Sequence, residues 1–195
     1  MIQPVEISFR PAMKSDCRTI ARLYTISSEG VSDYIWSQMA EPGEDILDVG
    51  QRRYEQEDSA FSYKNCTVAV LGDQIIGMLV AFPMYTENKM NDEAVDPVLV
   101  PYSRLEENDS YYICSMSVFP EYRRRGSGHH FLEIAEQQAR EQGFEKLSLI
   151  VMEENSGALK LYNSHGYQEV ARETIVPHPL IHSSGDALLL VKQIS

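Results

Sequence analysis

The chain has 195 residues, 43% hydrophobic and 24% charged, with a formal net charge of −12. Those proportions are of one ordinary globular domain, expected to cover residues 1–195 with ample material for a core. The acidic balance excludes nucleic acid and an anionic membrane surface as partners, because no general basic face exists to release counterions.

No apolar run is long enough to cross a bilayer, and the opening MIQPVEISFR lacks a signal-type apolar region. Three widely spaced cysteines, Cys17, Cys66 and Cys114, suit reduced thiols in a cytoplasmic protein better than a disulfide frame or a zinc site. Ile7 to Met13 reads as a first strand, with Arg10-Pro11 near its end. Ser15 or Asp16 then caps a helix to about Ser28, with Ile20, Ala21, Leu23 and Tyr24 apolar. Helical spacing returns over Ser32 to Met39 and, after the Pro42-Gly43 break, over Glu44 to Glu57. Cys66 to Leu71 and Gln74 to Phe82 are β-rich runs joined by Gly72-Asp73, a hairpin by turn chemistry. Gly77 in the second arm marks a bulge or a close backbone approach.

Met84 to Ser110 is polar and longer than a usual hairpin loop, with Glu87, Asp92, Glu93, Asp96, Glu106, Glu107 and Asp109 against Lys89 and Arg104. It reads either as a solvated surface loop or as an acidic lid that attracts a cationic amine. Tyr111 to Phe119 is a buried strand stopped by Pro120. Arg123, Arg124 and Arg125 follow, then Gly126-Ser127-Gly128 and a helical segment from His129 to Gln142. Strand, basic glycine-containing turn and helix start make an anion site, since the first amides of a helix have no intrahelical acceptor. Glycine at 126 and 128 lets the backbone approach a diphosphate, and the arginines add charge-assisted bonds. Neither a Walker loop nor a dinucleotide fingerprint is present.

Leu147 to Met152 is a further buried strand, and Asn155 to Tyr167 reads NSGALKLYNSHGY. Asn155 suits an N-cap, Ala158, Leu161 and Tyr162 share a helical face, and Gly166 is a natural stop. Tyr167 to Val176 and Ala187 to Ile194 are a last pair of strands around a proline-rich loop. The two stretches together resemble the GNAT superfamily of acetyl-CoA-dependent N-acetyltransferases. Arg123, Gly126 and Gly128 match the family's R/Q-x-x-G-x-G/A motif. Asn155, Ala158, Leu161, Tyr162, Gly166 and Tyr167 match its N-x-x-A-x-x-L-Y-x-x-x-G-F motif. The resemblance implies an α/β (α+β) fold: one domain with a mixed, mostly antiparallel sheet of about seven strands flanked by helices, in the order β-α-α-β-β-β-α-β-α-β-β.

It also implies roles. Met116 and Val118 match positions whose backbone meets the pantetheine arm and the acetyl carbonyl, a Val118-region N–H serving as oxyanion donor. The amides from Arg124 through Arg125, Gly126, Ser127 and Gly128 to His129 match the pyrophosphate cradle, and Asn155 a pantetheine contact. Tyr162 matches the tyrosine that protonates the departing thiolate, against the plainer reading of a core aromatic. The co-substrate implied is acetyl-CoA, with no metal: His178 and His182 sit in a proline-rich loop, not on a helix face. The acceptor implied is an amine of a small molecule, peptide or protein, cationic if the acidic loop takes part. Many relatives are homodimers. Where some relatives carry a carboxylate on the fourth strand this chain has Tyr112 or Cys114, which leaves the base unassigned. The expected activity is N-acetyl transfer to a primary amine by direct attack in a ternary complex; the alternative is an acyl-CoA-binding sensor without a productive acceptor site.

Overall fold

The computed structural model describes residues 6–85 and 95–194. Strand β1 (Ile7–Pro11) leads through a 3-10 turn at Lys14–Asp16 into helices α1 (Cys17–Ser27), α2 (Val31–Met39) and α3 (Ile46–Glu55). A hairpin follows, β2 (Cys66–Leu71) and β3 (Gln74–Met84), and then a short helix α4 (Val100–Arg104). The rest is β4 (Ser110–Val118), a 3-10 turn at Pro120–Tyr122, α5 (Ser127–Glu141), β5 (Lys146–Met152), α6 (Ser156–Ser164), β6 (Gln168–Thr174) and β7 (Asp186–Gln193). The strands form one sheet in the order β1-β2-β3-β4-β5-β7-β6. Pairing is antiparallel for β1–β2, β2–β3, β5–β7 and β6–β7, and parallel for β4–β5. Among the described residues, no helix is long and apolar enough to cross a membrane.

The chain divides into two compact units. One takes the described residues of Met1–Val80 with Ser115–Phe131, the other Ala81–Cys114 with the described residues of Leu132–Ser195. In the first unit the helices bury aromatic faces: Trp36 is 1% exposed and Tyr54 is fully enclosed. The Tyr24 ring lies 5.8 Å from both, stacked on Trp36 and edge-on to Tyr54. Burying a large apolar side chain contributes roughly 1.5–3 kcal/mol, which helices this short require because their intrinsic stability is marginal. Asp16 holds the entry to α1, accepting the Met13 N–H at 2.8 Å and pairing with Arg10 at 2.7 Å. Asp45 caps α3 by accepting the Leu47 N–H at 2.9 Å.

The hairpin turns at Gly72, with φ of +63°, a conformation costly for any residue with a Cβ. The register of β2 against β3 shifts between Ala69 and Val70, so Ile76 is the extra residue. Gly77 stands beside this bulge, where an added Cβ would lie 2.8 Å from the Ser117 carbonyl oxygen. Both expectations for Gly77, bulge and close approach, therefore describe the same place.

In the second unit β5 is covered on both faces, with Leu147, Leu149 and Val151 buried on one and Ser148 and Met152 on the other. β7 pairs along its length, from Lys146↔Gln193 to Met152↔Ala187, and buries Ala187 to Val191. The edge strand β6 is almost wholly exposed. Its register shifts at Val170, and Arg172 pairs with Glu169 at 2.6 Å and Asp186 at 3.3 Å, which blunts the edge by bulge and charge.

The observed elements follow the order the family implies with two additions. Three helices stand between β1 and β2, as the three runs of helical spacing read and one more than that order has, and α4 lies inside the long polar segment. Pro101 in α4 and the adjoining Leu105 are buried, so that segment is not all solvated loop. Glu87, Lys89, Asp92 and Glu93 of the same segment lie outside the described residues.

Candidate functional site

The first unit holds the turn from β4 into α5. Phe119 donates its N–H to Ile76 O at 2.9 Å, which closes the strand, and Pro120 opens the 3-10 turn. Arg124 and Gly126 both take left-handed backbone, at φ of +63° and +87°. Left-handed residues spaced this way rotate successive N–H groups towards one side, the geometry of an anion nest. A non-glycine residue at Arg124 in that region costs about 1 kcal/mol or more, strain that the surrounding turn must hold. Among the described residues, the N–H groups of Arg124, Arg125, Gly126, Ser127 and Gly128 make no backbone hydrogen bond. The next amide, of His129, is donated to Gly126 O at 3.0 Å. The free run is thus Arg124 to Gly128, one residue shorter than the expected cradle.

Ser127 opens the fifteen-residue α5. It is 4% exposed, and its Oγ has no hydrogen-bond partner. A buried hydroxyl without a partner costs about 1–3 kcal/mol, so an acceptor from a ligand would relieve it. Where a Cβ would stand on Gly126 there is no atom within 4 Å, which leaves that side of the turn open. Amides, hydroxyl and helix start together fit a diphosphate.

The arginines do not act alike. Arg123 donates from Nε to Val118 O at 3.0 Å and so ties the turn to the end of β4. Arg125 lies over the Tyr122 ring at 5.5 Å, and the Tyr122 hydroxyl donates to Gln74 Oε1 at 3.0 Å. Arg124 and Arg125 are exposed and retain their charge for a ligand. Upstream on β4, burial alternates: Tyr112, Cys114, Met116 and Val118 are half-buried between the buried Ser110, Tyr111, Ile113, Ser115 and Ser117. Ser115 Oγ shares a hydrogen bond of 2.6 Å with Ser27 Oγ of α1. Ser117 Oγ is a second buried hydroxyl with no partner.

The second unit holds the other motif. Asn155 Oδ1 accepts the Ala158 N–H at 3.1 Å, the expected cap of α6, and Gly166 takes φ of +85° at its end. Tyr162 is 8% exposed, with its ring 5.8 Å from that of Tyr167. Its hydroxyl has no hydrogen-bond partner among the described residues, and burial pushes its pKa up to about 12. It is therefore a neutral donor at physiological pH. Tyr112 is held well above the usual phenol value by burial first, then by the charges of Cys114, Glu106 and Tyr162. Its ring stands edge-on to Phe82 at 5.7 Å. The β4–β5 ladder runs from Tyr111↔Leu147 to Ile113↔Leu149, short against the nine residues of β4. Among the described residues, no three His, Cys, Asp or Glu side chains gather as a metal site.

Met116, Val118 and Arg123 to His129 thus fall in the first unit, Asn155 and Tyr162 in the second.

A seven-stranded mixed sheet carrying an amide-lined turn at a helix start is an α/β architecture with a site suited to an anion. The model of the Acetyltransferase (GNAT) family matches residues 31–167, and the chain belongs to that family. Among solved structures it resembles one described as an acetyltransferase, at 22% identity and TM-score 0.67, covering 96% of this chain and 100% of that one. An N-acetyltransferase from Staphylococcus aureus Mu50 is 20% identical with TM-score 0.65, covering 94% of this chain and 99% of that one. yncA from Salmonella typhimurium, solved with its cofactor acetyl-CoA, is 16% identical with TM-score 0.64, covering 97% of this chain and 94% of that one. No curated protein sequence matches the chain significantly. The protein is an acyltransferase, and its co-substrate is acetyl-CoA.

Proposed function

We propose that the chain, acting as one domain, transfers an acetyl group from acetyl-CoA to a primary amine by direct attack in a ternary complex. The observation that carries this is the run of free amides from Arg124 to Gly128 beside the unpartnered, buried Ser127 hydroxyl. Bound there, acetyl-CoA supplies an activated acyl group as a thioester. The five amides and Ser127 hold its diphosphate, with Arg124 and Arg125 adding charge. Met116 and Val118 present backbone groups to the pantetheine and the acetyl oxygen. The Val118 carbonyl already accepts from Arg123, which supports Arg123 as the residue that fixes the strand end. Asn155 contacts the pantetheine region through whatever capacity its cap leaves. Tyr162, neutral and without a partner, donates a proton to the departing thiolate.

Thiol release from acetyl-CoA, measured with a panel of amines and peptides, tests the reaction. Acceptor-dependent release is expected; tight acetyl-CoA binding without release across the panel would favour an acyl-CoA sensor. Gly126→Glu tests the cradle by calorimetry. The substituted position is open but left-handed, so the variant folds at a cost of about 1–2 kcal/mol. Its carboxylate opposes the diphosphate, and acetyl-CoA binding should vanish; unchanged affinity would remove the cradle assignment.

A further inference from the structure

This inference rests on the proposed diphosphate cradle and concerns the rest of the same ligand. Coenzyme A carries a further phosphate, a monoester on the 3′ oxygen of its ribose. At neutral pH such a group bears a charge of about −1.5 to −2. Neutral amides suit the diphosphate, and the free amides with the Ser127 hydroxyl already outnumber its non-bridging oxygens. A monoester dianion instead favours a fixed cation with paired donors, which is what a guanidinium offers.

The turn holds one such cation in place. Elsewhere in the chain Arg10, Arg18, Arg52, Arg104, Arg140 and Arg172 each pair with a carboxylate. Among the described residues no carboxylate pairs with Arg125, although the chain carries a net charge of −12. Its guanidinium lies over the Tyr122 ring at 5.5 Å. Tyr122 is itself fixed: it is half-buried, closes the 3-10 turn and donates its hydroxyl to Gln74 Oε1 at 3.0 Å. Gln74 opens β3, so the Arg125 side chain reaches back towards the hairpin while its backbone stays in the cradle. An aromatic face orients a guanidinium without cancelling its charge or covering its N–H edge, as a carboxylate would. The neighbouring arginines differ. Arg123 gives Nε to Val118 O, and Arg124, exposed and left-handed, has no ring beneath it among the described residues. Gln74, Tyr122, Arg125 and Ser127 all belong to the first unit.

We propose that Arg125, oriented by the Tyr122 ring, binds the 3′-phosphate of coenzyme A, so that the protein selects the complete cofactor over its 3′-dephospho form. Arg125 touches the ligand and Tyr122 is a positioning residue. Arg124 contributes general attraction to the diphosphate, which both forms carry.

Calorimetric titration of the full chain with CoA and with 3′-dephospho-CoA tests this, read as the ratio of the two dissociation constants. Wild type should favour CoA by roughly tenfold or more, the scale of a hydrogen-bonded charge pair. Arg125→Gln should bring the ratio to about two or less, the level of unspecific surface attraction. Arg124→Gln should weaken both ligands alike and keep the ratio. Tyr122→Leu should lower the ratio towards that of Arg125→Gln, whereas Tyr122→Phe, which keeps the ring, should retain most of it. A purely structural role for either residue would move both affinities together and leave the ratio alone. A wild-type ratio near one, a ratio unchanged in Arg125→Gln, or one lost in Arg124→Gln instead would overturn the assignment, and a ratio unmoved in Tyr122→Leu would strike Tyr122 from it. Failure of wild type to bind either ligand would instead defeat the cradle itself.

Discussion

A buried phenol with a pKa near 12 donates across the whole workable pH range, and this sets what Tyr162→Phe must do. The substitution keeps the ring packed against Tyr167 and removes only the donor. General acid catalysis is worth about 10²–10⁴ in rate, so kcat should fall by about a hundredfold or more while acetyl-CoA affinity holds. Steady-state kinetics beside calorimetry separates the two, and wild-type turnover would leave Tyr162 a packing role. The sign of the pKa shift gives an independent check. The acid is lost only as pH rises through about 12, so wild type should show no alkaline fall in kcat from this group up to about pH 10.5. A descending limb near pH 9 that disappears in Tyr162→Phe would contradict the burial argument.

Helix α3 makes a prediction against propensity. Glycine inside a helix normally costs about 1 kcal/mol relative to alanine, so Gly50→Ala should stabilise on propensity alone. A Cβ on Gly50 would fall 2.5 Å from Cη2 of Trp36, which is 1% exposed and cannot swing away. Overpacking costs about 1–3 kcal/mol, so the net effect should be a lower Tm. In a Trp36→Leu background the same change should cost less or stabilise, and a double-mutant cycle of thermal melts measures that coupling. The helices and strands themselves were legible wherever apolar spacing ran long, as in α5 and β5, or where turn chemistry was explicit, as at Gly72-Asp73. α4 was not: five residues with Pro101 second show no period, and burial of Leu105 and Pro101 decides it. The same division holds for the site. The glycine turn and the Asn155 cap are local and could be read from spacing. The Arg123–Val118 bond depends on tertiary packing that spacing does not encode.

For the whole molecule, buried acids set opposite edges to the pH range of stability. On the acid side stands Asp16: burial raises its pKa, but Arg10 and the Met13 N–H lower it further, leaving it below the usual carboxylate value. A depressed group stabilises above its unfolded pKa, and that stability is lost as pH falls through the folded one. On the alkaline side the thiol of Cys17, fully enclosed, is pushed up to about 11 by burial first and then by Glu55 and Asp16. A raised group stabilises fully below its unfolded pKa, near 9 for a thiol, and loses that contribution as pH rises through 11. Tyr162 adds a second loss between about 10 and 12. Tm should therefore be level from about pH 6 to 8.5 and fall from about pH 9. Self-repulsion of a chain already at −12 predicts a fall there as well, but one that salt relieves. Desolvation of a buried thiol is not screened. Cys17→Ala should lower the level region by about 1 kcal/mol for the lost packing and delay the onset of the alkaline fall by about one pH unit, in high salt as in low. An onset that stays at pH 9 in the variant, or that moves up with salt in wild type, would assign the alkaline limit to net charge instead of to the buried thiol.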